Sequence, residues 1–413
     1  MKFPTLDEVD VKGKTALVRV DINSPIDPKT GEILDDTRIR ECTQTLRELA
    51  NKGAKVVVMA HQGRPGDEDF ITLEKHAKKL SAALGLDVRY LPFALLGPMA
   101  IGTIHLMRPG EIILLENVRF LAEESLDRPP EELAKTHFVR RFAGIAQIYV
   151  NDAFGAAHRA SASLVGFATL LPSYAGRLME RELKGLGRAL EPERPCVYVL
   201  GGAKVDDSLK IVENVLGKGI ADYVLTGGLV GLTFLAAKGY DLGKPNLQLL
   251  LEKGYEKQIE KAKQLLGTHG DKIKMPVDGV VDDGGQAKEL AIEQLPTELR
   301  IVDIGGKTIA EYSSIITSQA KTVVANGPMG IFEKPNFARG TFDVLKAMAG
   351  SQAFTIIGGG HMVAAAQAAG VAGQIKHVST GGGACISFLS GEQLPAVEAL
   401  TRSKGTRQSG TST

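Results

Sequence analysis

Arginine and histidine recur directly after short apolar runs in the first part of the chain. His61 and Arg64 follow KVVVMA, Asn117 and Arg119 follow EIILLE, His158 and Arg159 close YVNDAFGAAHR, and Asp21 and Asn23 follow TALVRV. Guanidinium forks and imidazoles set this way suit a small, highly charged carboxylate or phosphate. The second part carries glycine at the equivalent places: Gly201 and Gly202, Gly227 and Gly228, Gly305 and Gly306, Asn326 and Gly327, Gly358 to Gly360, and Gly381 to Gly383. Bare backbone lets N–H groups and helix N-termini approach a polyphosphate or a flat base. A small anion on one side and a nucleotide on the other is therefore expected. One glycine pair alone would be turn chemistry and one arginine alone a surface ion pair; the repetition carries the inference.

The elements that must position these groups are strands. Apolar runs rich in β-branched residues (TALVRV, KVVVMA, EIILLE, QIYV, CVYVL, YVLT, RIVDI, TVVAN, FTIIG and HVST) alternate with stretches of helical spacing, which predicts an α/β fold with largely parallel sheets. Ligands of such sheets collect at the carboxyl ends of the strands, where the residues above stand. Ten runs are too many for one open sheet. Residues 171–194, with LPSYAG, an amphipathic helix and PERP, read as a connector. The expectation is two Rossmann-like domains with mostly parallel sheets, 1–170 and 195–387, joined by a hinge helix with a cleft between them. Residues 388–413 are expected to return to the first domain, their last residues disordered.

Composition bounds the function. With 49 Lys plus Arg against 48 Asp plus Glu, the net charge of +1 gives no bulk attraction to nucleic acid or membrane. The 47 glycines among 413 residues are about 11%, against about 7% ordinarily, and have no collagen period. Cys42, Cys196 and Cys385 are far apart without a CxxC pair, which argues against disulfides and zinc. No signal-peptide run opens the sequence, so a reducing cytoplasmic compartment is expected. GGKT at 305–308 lacks the upstream glycine of a phosphate loop and reads as a strand-to-helix turn, and Val363 stands where a dinucleotide fingerprint needs Gly or Ala. Asp152 reads equally as a ligand group or as a buried residue that shapes its loop.

RVDINSP, HQGRP, LLENVRF, YVNDAFGAAHR, GGAKV, NGPMGIFE, FARGT, GGGHM and HVSTGGGA resemble, in order and spacing over roughly 380 residues, the phosphoglycerate kinase family, in an archaeal-like branch. The resemblance implies reversible, Mg²⁺-dependent transfer of a phosphoryl group between ATP and the carboxylate of 3-phosphoglycerate, in line and with domain closure. It implies that Asp21, Asn23, Arg38, His61, Gln62, Gly63, Arg64, Arg119 and Arg159 hold the acid. Gly202, Ala203, Lys204, Gly227, Gly228, Asn326, Pro328, Glu333, Gly359, Gly360, His361 and Met362 would hold ATP or ADP. Arg38, Lys204, Gly359 and Gly382 would act on the moving group. A cytoplasmic monomer is expected.

Two positions depart from the family pattern. Ser208 stands where most relatives have Lys, and His361 where they commonly have an Asp that ligates Mg²⁺. The metal is then held mainly by nucleotide oxygens and water, with Asp207 a candidate outer partner. Two other classes remain open on the residues alone: a two-domain NAD-dependent dehydrogenase, and a non-catalytic protein that closes on a small acid.

Overall fold

Strands covered on both faces need apolar side chains at consecutive positions, and the runs above are buried along nearly their whole length. The computed structural model describes residues 2–93 and 95–403, so the tail expected to be disordered lies, from residue 404 on, outside the described residues. The chain divides into two compact units, Met1–Leu183 with Gln393–Thr413, and Lys184–Glu392.

In the first unit six strands, β1 (Thr15–Val20), β2 (Lys55–Met59), β3 (Val88–Tyr90), β4 (Ile112–Leu114), β5 (Ile148–Asp152) and β6 (Ser173–Ala175), form a parallel sheet in the order β3-β4-β2-β1-β5-β6. The chain builds outward on one side of β1 and then returns on the other with β5. The strand order thus reverses between β1 and β5, where Val20 lies beside Asp152. A crevice at the carboxyl ends of such a pair is the usual ligand site of an open α/β sheet. Ser173–Ala175 belongs to LPSYAG, which the sequence reading placed in the connector; it is an edge strand instead. The helix Pro395–Arg402 packs on β6 and on the turns of residues 162–169, and Ala396 N–H donates to Ala157 O at 3.2 Å.

The second unit repeats the plan. Strands β7 (Cys196–Leu200), β8 (Tyr223–Thr226), β9 (Ile273–Lys274), β13 (Thr322–Asn326), β14 (Phe354–Gly358) and β15 (His377–Val378) run parallel in the order β15-β14-β13-β7-β8-β9. Its order reverses between β7 and β13, at the pair Leu200 and Asn326. The run RIVDI was expected among the parallel strands. It is β12 (Arg300–Ile304), and it pairs antiparallel with β10 (Asp278–Asp283), which also pairs with β11 (Gln286–Ala291). This small sheet was not legible as parallel or antiparallel from a five-residue run. The helix Arg177–Leu190 carries the chain from one unit to the next, with Leu178, Met179, Leu183, Leu186 and Ala189 buried along one face at helical spacing.

Candidate active site

In the first unit the carboxyl ends of β1, β2 and β5, with the turn after β4, bring a set of cations together. Arg38 lies in the first turn of the short helix Thr37–Glu41, and its Nη1 donates to Asp21 Oδ2 at 3.1 Å. Arg119 sits in the 3-10 turn Val118–Phe120, whose start is capped when Asn117 Oδ1 accepts Arg119 N–H at 3.1 Å; its Nη1 donates to Gly63 O. Arg159 Nε lies 3.4 Å from His158 Nε2. Burial, followed by repulsion from Arg159 and Arg19, brings the Arg119 guanidinium down to about 10. Burial and Arg64 lower Arg159 in the same direction, with Asp21 opposing. Arginines this close depress one another when the carboxylates nearby do not balance them. The basin is short of negative charge.

His61 is 5% exposed, and burial holds its imidazole well below the usual range, helped by the guanidiniums of Arg19, Arg119, Arg159 and Arg38. It was grouped with the cations; in the fold it is neutral near pH 7 and offers a hydrogen bond, not a charge. Gln62 is also corrected. Its fully buried side chain is committed to Ser24, His76 and Asp69, so it braces the turn rather than facing a ligand. Asn23 Oδ1 accepts Gly63 N–H at 2.9 Å, which locks the turns after β1 and β2 together. Asp152 proves to be the buried shaping residue: it is fully buried and accepts backbone N–H groups at the start of the helix Arg177–Leu190.

In the second unit a cavity of about 460 Å³ opens at the carboxyl ends of β7 and β13, the strand-order reversal. Gly202, Ala203, Lys204, Gly228, Asn326, Pro328, Glu333, Gly359, Gly360, His361 and Gly382 line it. Gly227 and Met362, expected there, do not. Gly227 N–H is taken by Leu200 O at 3.0 Å, and Met362 is 1% exposed in the core under its helix. The glycines also act differently from expectation at one end. Gly202 N–H donates to Pro328 O at 2.7 Å and Gly228 N–H to Met329 O at 2.8 Å, so these two let the turn after β13 pack against their backbone and do not present amides to a ligand.

At the other end the amides are available. Gly359 (φ 86°) and Gly382 (φ 51°) precede the helices Gly360–Ala368 and Gly383–Leu389, in positive-φ conformations that cost a side chain about 1–3 kcal/mol. The first N–H groups of a helix have no intrahelical acceptor, and together with the helix dipole they favour an anion. Asn326 Nδ2 is buried beside this turn without a protein partner. By contrast, GGKT at 305–308 opens a helix whose start is capped by Asp278: Oδ2 accepts Lys307 N–H and Oδ1 accepts Thr308 N–H, each at 2.8 Å. That helix end is already filled by a carboxylate.

The family model of phosphoglycerate kinase matches residues 6–392. The phosphoglycerate kinase of Methanothermus fervidus is 50% identical over 98% of both chains, and that of Methanothermobacter thermautotrophicus is 52% identical over 98% of both. Among solved structures, the phosphoglycerate kinase of Pyrococcus horikoshii superposes with a TM-score of 0.88 at 44% identity, covering 97% of this chain and 98% of that one.

The chain belongs to the phosphoglycerate kinase family.

Its reaction is the glycolytic transfer of a phosphoryl group between ATP and 3-phosphoglycerate, the chemistry expected of an anion basin and a glycine-rich nucleotide site. Ser208 is 3% exposed in the helix Val205–Gly217, while Lys210, on another face, is 3.5 Å from Glu392. His361 is exposed at the start of its helix.

Sequence reasoning missed two groups of residues. Leu229, Leu232, Leu235, Ile292 and Ile301 form the apolar wall of the cavity and come from elements read only as generic helix and strand. Arg19, Glu124 and Ser163 form a buried polar cluster behind the anion basin. The one sequence signal was a charge inside TALVRV, a run that must be buried on both faces.

Proposed function

We propose that 3-phosphoglycerate binds in the first unit to Arg38, Arg64, Arg119 and Arg159, with His61 and Asn23 donating hydrogen bonds. Asp21 orients Arg38, and Gly63 supports Arg119 through its carbonyl. The observation that carries this reading is the set of guanidiniums gathered at the strand ends of one sheet, where burial and neighbouring arginines lower both Arg119 and Arg159, a cost that a ligand bearing a phosphate and a carboxylate would relieve. ATP or ADP binds in the cavity of the second unit. Glu333 accepts from the ribose hydroxyls, the aliphatic wall takes the base, and the amides at Gly359 and Gly360 with Asn326 Nδ2 take phosphate oxygens.

The acid's carboxylate is already a nucleophile, so no general base is required. A carboxylate oxygen forms a bond to the γ-phosphorus as the bond to the β-phosphate oxygen breaks, leaving ADP. Arg38, Lys204 and the backbone amides near Gly359 and Gly382 stabilise the equatorial oxygens. In-line transfer needs the reacting atoms within about 3 to 3.5 Å, so turnover includes an approach of the two ligand-bearing units, and scattering with both substrates should report compaction. An unchanged radius would count against it.

Among the described residues no three His, Cys, Asp or Glu side chains converge as a metal cage. The residues do not fit a resident ion, so Mg²⁺ enters with the nucleotide as part of the substrate, Asp207 in the first turn of the helix after Lys204 being its candidate outer partner. No helix among the described residues is long and apolar enough to cross a membrane. A cytoplasmic monomer is the state we propose, the compartment supported by three buried free thiols.

Steady-state assay of ADP formation tests the assignment. Arg119→Ala should raise KM for the acid alone and Glu333→Ala KM for ATP alone; the reverse pattern would overturn it.

A further inference from the structure

Arg19 is 1% exposed within β1, and a buried guanidinium is costly unless its donors are paired. All three of its nitrogens have partners. Nε donates to Ser163 Oγ at 2.8 Å, Nη1 donates to Val20 O, and Nη2 lies 2.9 Å from His61 Nδ1. The cluster continues behind it: Ser163 Oγ donates to Glu124 Oε1 at 2.6 Å, Ser163 N–H donates to Oε2 at 2.8 Å, and Arg19 Nη2 is 4.0 Å from that carboxylate. Four segments meet at Arg19. They are β1, the turn after β2 that carries His61, the turn Ala122–Ser125 just beyond Arg119, and the turn Ala162–Gly166 just beyond Arg159.

A guanidinium has donors only, so His61 Nδ1 must accept the bond from Nη2. A neutral imidazole that accepts at Nδ1 carries its proton on Nε2. We propose that Arg19 is a positioning residue for the acid site: it holds His61 as the Nε2–H tautomer, a neutral donor to a substrate oxygen, and through Ser163 and Glu124 it holds the turns that carry Arg119 and Arg159. This rests on the assignment of His61 to the acid site above. The strongest charges on the ring are Arg19 on β1, Arg119 and Arg159 on their turns and Arg38 on its short helix, all opposing protonation of His61, while the carboxylates of the cluster, Asp21 and Glu124, are engaged by Arg38 and by Ser163. A neutral donor adds a directed bond to the basin without further repulsion among its cations.

Nitrogen-15 NMR of the histidine side chains in the full-length protein, with His61 assigned through His61→Gln, tests the tautomer directly. The expected result is a protonated Nε2 and an unprotonated Nδ1 that do not change between pH 6 and 8; a protonated Nδ1 or a cationic ring would overturn the proposal. Two variants test the positioning role, Arg19→Lys and the paired change Arg19→Met with Glu124→Gln, which removes both buried charges together. In the paired variant KM for 3-phosphoglycerate should rise about tenfold or more while KM for ATP stays constant, and His61 should lose its single tautomer. Arg19→Lys, which keeps a donor, should restore part of both. A folded paired variant with the wild-type tautomer and acid KM would overturn the proposal, and if neither variant folds the wild-type tautomer still decides. An unchanged acid KM in His61→Gln would instead remove His61 from the substrate site and leave the tautomer result intact.

Discussion

Asp152 Oδ1 accepts the backbone N–H of Leu178 at 2.9 Å, so a carboxylate at the end of β5 caps the helix Arg177–Leu190. The same oxygen accepts Met179 N–H at 3.2 Å, and a Cβ on Gly176 would lie 2.2 Å from it. The residue that read as a ligand candidate is spent on the helix that carries the chain out of the first unit.

Burial pushes Asp152 up to about 7, against bonds from Thr45, Met179 and Leu178 that lower it. A carboxyl whose folded pKa is raised contributes stability that is full below its unfolded value near 3.8 and is lost as pH rises through about 7. Asp152→Asn keeps an acceptor for the two N–H groups and removes this dependence. Relative to the variant, wild type should lose up to about 4 kcal/mol between pH 4 and pH 8. Denaturant unfolding at the two pH values measures it; a wild-type-minus-variant difference that does not change with pH would refute it. Asp303, also raised to about 7 by burial, is present in both proteins and cancels.

Arg38 is held by Asp21 but remains partly exposed, 39% at the side chain, as a group that meets a substrate must be. Arg38→Ala should lower kcat by about 10³ or more, the range for an arginine that neutralises a moving phosphoryl group. Near-normal turnover would remove it from that role.

Arg159→Met takes one donor from a basin that lacks anions. KM for 3-phosphoglycerate should rise about 10- to 100-fold, with thermal stability unchanged or improved because a repelling neighbour of Arg119 is gone. A lower melting temperature together with an unchanged KM would mean that Arg159 is structural.

Gly359→Ala places a side chain at φ 86°, with its Cβ 3.5 Å from Asn326 Nδ2. The strain of about 1–3 kcal/mol falls on the turn that presents the first amides of its helix, so kcat should fall about tenfold while the protein stays folded. Wild-type turnover would show that this turn does not touch the phosphates.

His361→Asp places a carboxylate at the exposed start of the helix Gly360–Ala368. The Mg²⁺ concentration for half-maximal activity should fall, because a hard cation prefers carboxylate to imidazole. An unchanged requirement would mean that the position does not reach the nucleotide's metal.

The ten apolar runs were legible because a strand buried on both faces has one simple requirement, consecutive apolar residues, and residues such as 55–59 meet it without help from the rest of the chain. The elements that were missed carry no such signal. β11 (Gln286–Ala291) has no fully buried residue, and β6 and β3 are three-residue edge strands. The arginines and glycines of the two sites were legible for a related reason: α/β sheets collect ligands at strand ends, and strand ends can be read in one dimension.

What sequence alone determined was therefore the fold class, the family and the residue types that gather at the strand ends. Tertiary structure decided what state those residues are in. The neutrality of His61, the loss of Gly202 and Gly228 amides to the turn after β13, the capping role of Asp152 and the cluster around Arg19 all depend on partners distant in sequence; Arg19 and Ser163 stand 144 positions apart. Burial and charge act through space with strengths set by distance and desolvation, and neither quantity exists until the chain has folded.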